Sequence, residues 1–152
     1  MDIKSLERLE LDKILSFVSG YAVLDGGKRK IAARTPSTDL EEVRIALSYT
    51  EECDKLLYKH GIGKIEYFGE VEDILARSAK GSVLSCAELL EANALLRSAR
   101  TAYENITKIT DDTIILMRAH ADKLYFDRVL EEDITEKIIS PDSLSDFASD
   151  RL

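Results

Sequence analysis

"KGSVLSCAELLEANALLRSAR", residues 80 to 100, carries both a helix stop and a helix start. Lys80-Gly81 closes one helix, because glycine readily takes the left-handed conformation that ends a helical run. Ser85 and Glu88 then form a capping box: the hydroxyl accepts from the third helical amide, and the glutamate reaches back to the cap amide. From there Leu89, Ala92, Leu96 and Ala99 descend one face, with Leu90 and Leu95 on its flanks. Steps of three and four residues are the period of an amphipathic helix.

The same grammar extends in both directions. Leu11, Ile14, Leu15, Val18 and Ala22 form one apolar stripe, weakened at its end by Gly20. A shorter helix is expected over 24–33, with Ile31 and Ala32 inward, before "RTPST" breaks the chain. Pro36 disfavours helix at Thr35. Thr38 with Glu41 reads as a second capping box, opening a long helix whose stripe is Leu40, Val43, Leu47, Thr50, Asp54 and Leu57. That helix ends near His60-Gly61, where Gly61 can turn left-handed. "GIGKIEYFGEVEDI" is an ordered loop leading into a short helix over 71–79. Asp111 and Asp112 can begin another helix carrying Ile115, Met117 and Ala119. A last helix over 126–138 turns Val129, Leu130, Ile134 and Ile138 inward. No run alternates with a period of two, so the expected class is all-α, an irregular multi-helix bundle.

Composition narrows the function classes. The chain has 152 residues, with 21 Lys and Arg against 29 Asp and Glu, for a formal charge of −8. Such a balance repels phosphate backbones and argues against nonspecific nucleic-acid binding. Lys28, Arg29, Lys30 and Arg34 form the one dense basic cluster, and Lys28, Lys30 and Arg34 are its candidate phosphate contacts. The bland reading of that run is a solvated helix face. Cys53 and Cys86 show no CxxC spacing and read as small buried hydrophobes in a reducing cytoplasm. The charged start "MDIKSLERLELDK" lacks a signal peptide's apolar run, and no stretch is long and apolar enough for a membrane span.

No catalytic, cofactor-binding or metal-ligating residue is assigned. "KHGIGK", residues 59 to 64, superficially resembles a phosphate loop, but Tyr58 stands at the first glycine and Ile65 at the hydroxyl. His60 sits at a helix end, where partial positive charge suits the carbonyl dipole, and His120 reads as surface. Neither has a ligand-spaced neighbour. The carboxylates at 41–42, 51–52, 111–112 and 131–133 read as caps and solvated helix faces rather than an acid–base pair.

Three blocks in fixed order carry a resemblance: Pro-Ser-Thr-Asp-Leu-Glu-Glu-Val at 36–43, Gly-x-Val-Glu-Asp-Ile at 69–74, and Gly-x-Val-Leu-Ser-x-x-Glu-Leu-Leu at 81–90. With "LERLELDKILSFVSGYAV" ahead of them, they resemble the N-terminal region of the MutS-two proteins, the endonuclease branch of the MutS family. Residues 146–152, "DFASDRL", resemble the approach to that family's long lever helix, although Phe147 replaces a usually small polar residue and Asp150-Arg151 stand where Pro-Glu is common. The resemblance implies a single N-terminal core domain over 1–152, cut at the foot of the lever. It also implies a longer protein with lever and clamp, a MutS-type ATPase using ATP and magnesium, and commonly a C-terminal Smr nuclease domain. It further implies a cytoplasmic homodimer that acts, through its other regions, on branched DNA to restrain recombination or on collided ribosomes. None of the family's ATP-binding or nuclease residues matches a position here. The alternative is a free-standing acidic helical interaction domain.

Overall fold

A computed structural model describes residues 10–145 and residue 148. Seven α-helices account for most of the described residues: α1 (Leu11–Ser19), α2 (Asp25–Ala32), α3 (Leu40–Asp54), α4 (Glu72–Ser78), α5 (Cys86–Thr107), α6 (Leu116–Ala121) and α7 (Arg128–Lys137). The all-α expectation holds, with one small addition. Ile138–Ser140 (β1) pairs antiparallel with Ser143–Leu144 (β2) around Pro141-Asp142. Ile138, expected on the last helix, therefore lies in a strand. So short a hairpin leaves no alternation to read in the sequence.

The organising element is α5, 22 residues long, packed against α6, α7 and β1. Its capping box forms as expected: Ser85 Oγ accepts the Glu88 amide at 3.3 Å, and Glu88 accepts the Ser85 amide at 2.8 Å. Leu96 and Ile106 are buried, and so are Asn93 and Ser98, two polar residues that the apolar periodicity did not place inside. Ile106 joins Leu56, Ile109, Ile114 and Ala121 in the main core, with Ile62, Tyr103 and Met117 packed against it. Ile114 is fully buried at its centre.

The long helix begins one residue later than its expected Thr38 cap. Asp39 is the cap, its carboxylate accepting the amides of Glu41 and Glu42 at 2.8 and 3.1 Å. A charged oxygen complements the helix dipole better than a hydroxyl does. The Asp39 amide donates to Ser37 Oγ at 3.1 Å rather than to Glu41, and Ser37 Oγ in turn donates to Glu42 at 2.5 Å. The buried side also differs from the expected stripe. Ala46 and Tyr49 are half-buried and Glu52 and Leu56 buried, whereas Leu40, Val43, Leu47 and Leu57 face solvent. Beyond Asp54 the helix widens into a π-turn, Lys55–Lys59. Gly61 (φ 67°) reverses the chain, and the Ile62 amide donates to the Leu56 carbonyl at 2.8 Å.

Residues 61–71 form an irregular passage tied down by α5. Ser98 Oγ donates to the Glu66 carbonyl, and the Gly69 amide donates to the Glu91 carboxylate. Val71 is buried at the entry to α4, which stops at Gly81 (φ 83°) as its sequence foretold. Further inward assignments are corrected. α1 and α2 pack on each other, but Ala32 is exposed and only Ile31 is half-buried. The helix expected from Asp111 starts at Leu116, because Asp111 instead closes a turn through the Thr113 amide and hydroxyl. That register buries Ile114 and leaves Ile115 and Ala119 exposed. On α7 Ile134 is buried, while Val129 and Leu130 are exposed. Cys53 is exposed and Cys86 half-buried, so neither thiol is the core hydrophobe expected. The proposed start of a lever helix lies outside the described residues, apart from Ser145 and Ala148.

Candidate functional site

The paired carboxylates separate into individual structural tasks. Glu52 is buried and accepts the amides of Leu116 and Met117 at 3.0 and 2.8 Å, capping α6 from a helix 64 residues away in sequence. Burial pushes its carboxyl up, but the amides of Leu116, Met117 and Ile115 together outweigh that and hold it below the ordinary carboxylate range. Asp111 accepts from Lys59 at 2.6 Å and from His60 Nε2 at 3.1 Å, as well as from Thr113. Lys59 foremost, then Thr113 and His60, keep it strongly ionised. Glu131 is buried and takes both prongs of the Arg100 guanidinium at 2.8 and 2.7 Å. Expectation had these acids as caps and solvated faces. Glu52 and Glu131 depart from the solvated half of that reading, because their partners lie on other elements.

The histidines stand apart from each other: His60 donates to Asp111, and His120 stacks against Tyr49 with ring centroids 5.0 Å apart. Among the described residues no three His, Cys, Asp or Glu side chains converge as a metal site would require. None of their helices is long and apolar enough to cross a membrane.

The basic cluster lies on and just after α2. Lys28 pairs with Asp25 at 2.9 Å, and Arg29 pairs with Glu70 across to the 61–71 passage. Lys30 and Arg34 are exposed and have no ion-pair partner among the described residues. Of the three candidate phosphate contacts, one is thus already engaged by a carboxylate.

A markedly apolar concavity lies elsewhere. A groove of about 650 Å³ opens between the C-terminal end of α3, the 62–65 loop, α5 and α6. Leu56, Ile106 and Met117 form its base, and Cys53 stands on its wall with Sγ 3.7 Å from Met117 Sδ. Although Cys53 is exposed as a residue, desolvation of its thiol against the groove wall, then the Glu52 carboxylate, pushes the thiol up, so it is a poor nucleophile at neutral pH. Lys64 and Lys123 rim the groove and carry no ion pair among the described residues. By contrast Lys13, Lys28, Lys55, Lys59, Lys108 and Lys137 each pair with a carboxylate. An apolar base with two free cations at its edge suits docking of an amphipathic helix. Nothing local in the sequence marked this groove, since its walls come from four separate segments.

Known proteins place the chain in context. No family model matches it. It is 36% identical over 154 residues to Endonuclease MutS2 of Geobacillus thermodenitrificans and 34% identical to that of Geobacillus kaustophilus. Identity to the Endonuclease MutS2 of Bacillus velezensis is 29%. Each match takes in 100% of this chain and 20% of the relative, so the chain spans one fifth of their length. Read together with the three ordered sequence blocks, this whole-length match makes the chain homologous to a segment of the MutS2 endonucleases.

Proposed function

We propose that these residues form a non-catalytic structural core module of a MutS2-type protein, with the chemistry residing in the parts of its relatives that the chain does not span. The whole-length match to one fifth of proteins named endonucleases carries this reading. It is supported by the use of the distinctive acids, Glu52, Asp111 and Glu131, in holding helices together. By resemblance the complete protein is a cytoplasmic, homodimeric ATPase and endonuclease that uses ATP and magnesium on branched DNA or collided ribosomes. This module gives such a machine a rigid helical body.

The 152-residue chain is expected neither to hydrolyse ATP nor to cut linear or four-way DNA. Turnover that survives repurification, and that a point change within the chain abolishes, would overturn the reading. A second reading, an acidic helical interaction domain, is favoured by the exposed Leu40, Val43 and Leu47 on α3. Sequencing the downstream codons separates the two: an open frame reaching a Walker motif supports the module, and a stop after Leu152 supports the interaction domain.

A further inference from the structure

The His, Cys, Asp and Glu side chains of the described residues form no metal cluster, but thioether sulfur is also a ligand for soft metal ions. Two sulfur ligands meet where α3 packs against α6. Cys53 Sγ of α3 stands 3.7 Å from Met117 Sδ of α6. Two metal–sulfur bonds of about 2.3 Å, opened to a tetrahedral or trigonal angle, span about 3.8–4.0 Å. The sulfurs are thus already spaced for one ion between them. His120 follows Met117 by three residues and so shares its helix face. Its ring stacks on Tyr49, which lies four residues before Cys53 on α3. The His120–Tyr49 and Met117–Cys53 contacts are therefore neighbouring rungs of one interface. Cys53, Met117 and His120 all line the same open groove.

We propose that Cys53, Met117 and His120 form a binding site for a soft monovalent metal ion of the copper(I) class, reached through the groove. The Cys53 thiolate and the Met117 thioether hold the ion between them, and the exposed His120 ring turns off Tyr49 to supply a nitrogen. In the metal-free chain the Cys53 S–H donates weakly across the gap between the sulfurs. As the metal–thiolate bond forms, that proton leaves to solvent. The ligand set selects charge as well as softness. One thiolate and two neutral ligands cancel a single positive charge, so the loaded site is neutral, as apolar walls of Leu56, Ile106 and Ala121 require. A zinc(II) ion would leave an uncompensated charge in a groove already rimmed by Lys64 and Lys123. Zinc also takes four ligands drawn from thiolate, imidazole and carboxylate, and the thioether is none of these. The neighbouring Glu52 carboxylate does not complete a zinc set, because it is committed to the amides of Leu116 and Met117.

Anaerobic titration of the 152-residue chain with copper(I), buffered by a chromogenic copper(I) chelator, tests the site. The other thiol, Cys86, is half-buried at the start of α5, so the Cys86→Ser chain serves as the reference. One equivalent of copper(I) is expected to bind to it, with X-ray absorption showing two sulfur ligands and one nitrogen. Cys53→Ser should abolish that binding. Met117→Leu conserves volume where Met117 packs on the core, and His120→Ala changes an exposed ring. Each should weaken binding at least about tenfold, with helicity retained. Silver(I), which cannot cycle its redox state here, should rank the variants in the same order, and equimolar zinc(II) should not displace the copper. The ligand count and His120→Ala decide the matter if Met117→Leu disturbs folding. No binding, coordination through a single sulfur, affinity unchanged by His120→Ala, binding lost with Cys86→Ser, or a preference for zinc(II) would overturn the proposal.

Discussion

The Glu52 carboxylate sits where α3 faces the start of α6, accepting two amides that have no partner within their own short helix. Glu52→Ala would strand both in a part-buried position and is expected to cost about 2 kcal/mol, read from the urea midpoint. The α3 cap makes a sharper distinction between neighbours. Asp39→Ala should cost about 1 kcal/mol, whereas Thr38→Ala should leave stability nearly unchanged, since the amides of Glu41 and Glu42 bond to Asp39. Equal losses from the two substitutions would mean that the cap had been misassigned. Ser85→Ala should also cost about 1 kcal/mol, because its hydroxyl accepts the Glu88 amide.

Between elements, the α5–α7 contact depends on Arg100 and Glu131. A buried charge that loses its partner is costly, so Arg100→Met alone is expected to destabilise by about 3 kcal/mol. Adding Glu131→Leu removes the stranded carboxylate and should recover part of that loss. Denaturation of the two single variants and the double variant measures the coupling, and strictly additive losses would mean the pair contributes nothing as a pair. A second junction ties the end of the π-turn to the loop before α6, through Lys59, His60 and Asp111. Glu52, Asp111 and Glu131 all have carboxyls held below their ordinary values in the fold. A depressed folded pKa gives stability that is fully present above the unfolded pKa, near 4, and is lost as pH falls through the folded value. The urea midpoint should therefore drop steadily as pH falls below about 4.5, and Asp111→Asn should flatten that dependence.

Across the whole molecule, the −8 charge sets the terms for any nucleic-acid contact. Lys28 is engaged by Asp25, which leaves Lys30 and Arg34 as the members of the candidate set without an ion pair among the described residues. Two or three phosphate contacts give weak, salt-dependent binding, and the surrounding acidic surface opposes it. Anisotropy titrations with linear and four-way DNA should show at most weak binding near physiological salt. Submicromolar, junction-selective binding that is lost on changing Lys28, Lys30 and Arg34 to Glu would instead identify the cluster as a true site.

The features legible in the sequence are those whose partners lie within one helical turn. The Ser85–Glu88 box, the glycine stops at Gly61 and Gly81, and the helical class all depend on contacts a few residues apart. Ordered blocks along the chain were likewise enough to indicate the family. Burial direction followed a different logic. The stripe through Leu40, Val43 and Leu47 has sound helical periodicity, yet α3 turns Glu52 and Leu56 inward, because α6 offers unpaired amides and a core centred on Ile114. Periodicity locates an apolar edge but cannot say which neighbour will meet it. The groove and its free lysines arise in the same way, from α3, the 62–65 loop, α5 and α6 brought together by long-range packing. Local hydrogen bonds made the helices readable in advance, and contacts between residues tens of positions apart determined which faces were buried and which were left open.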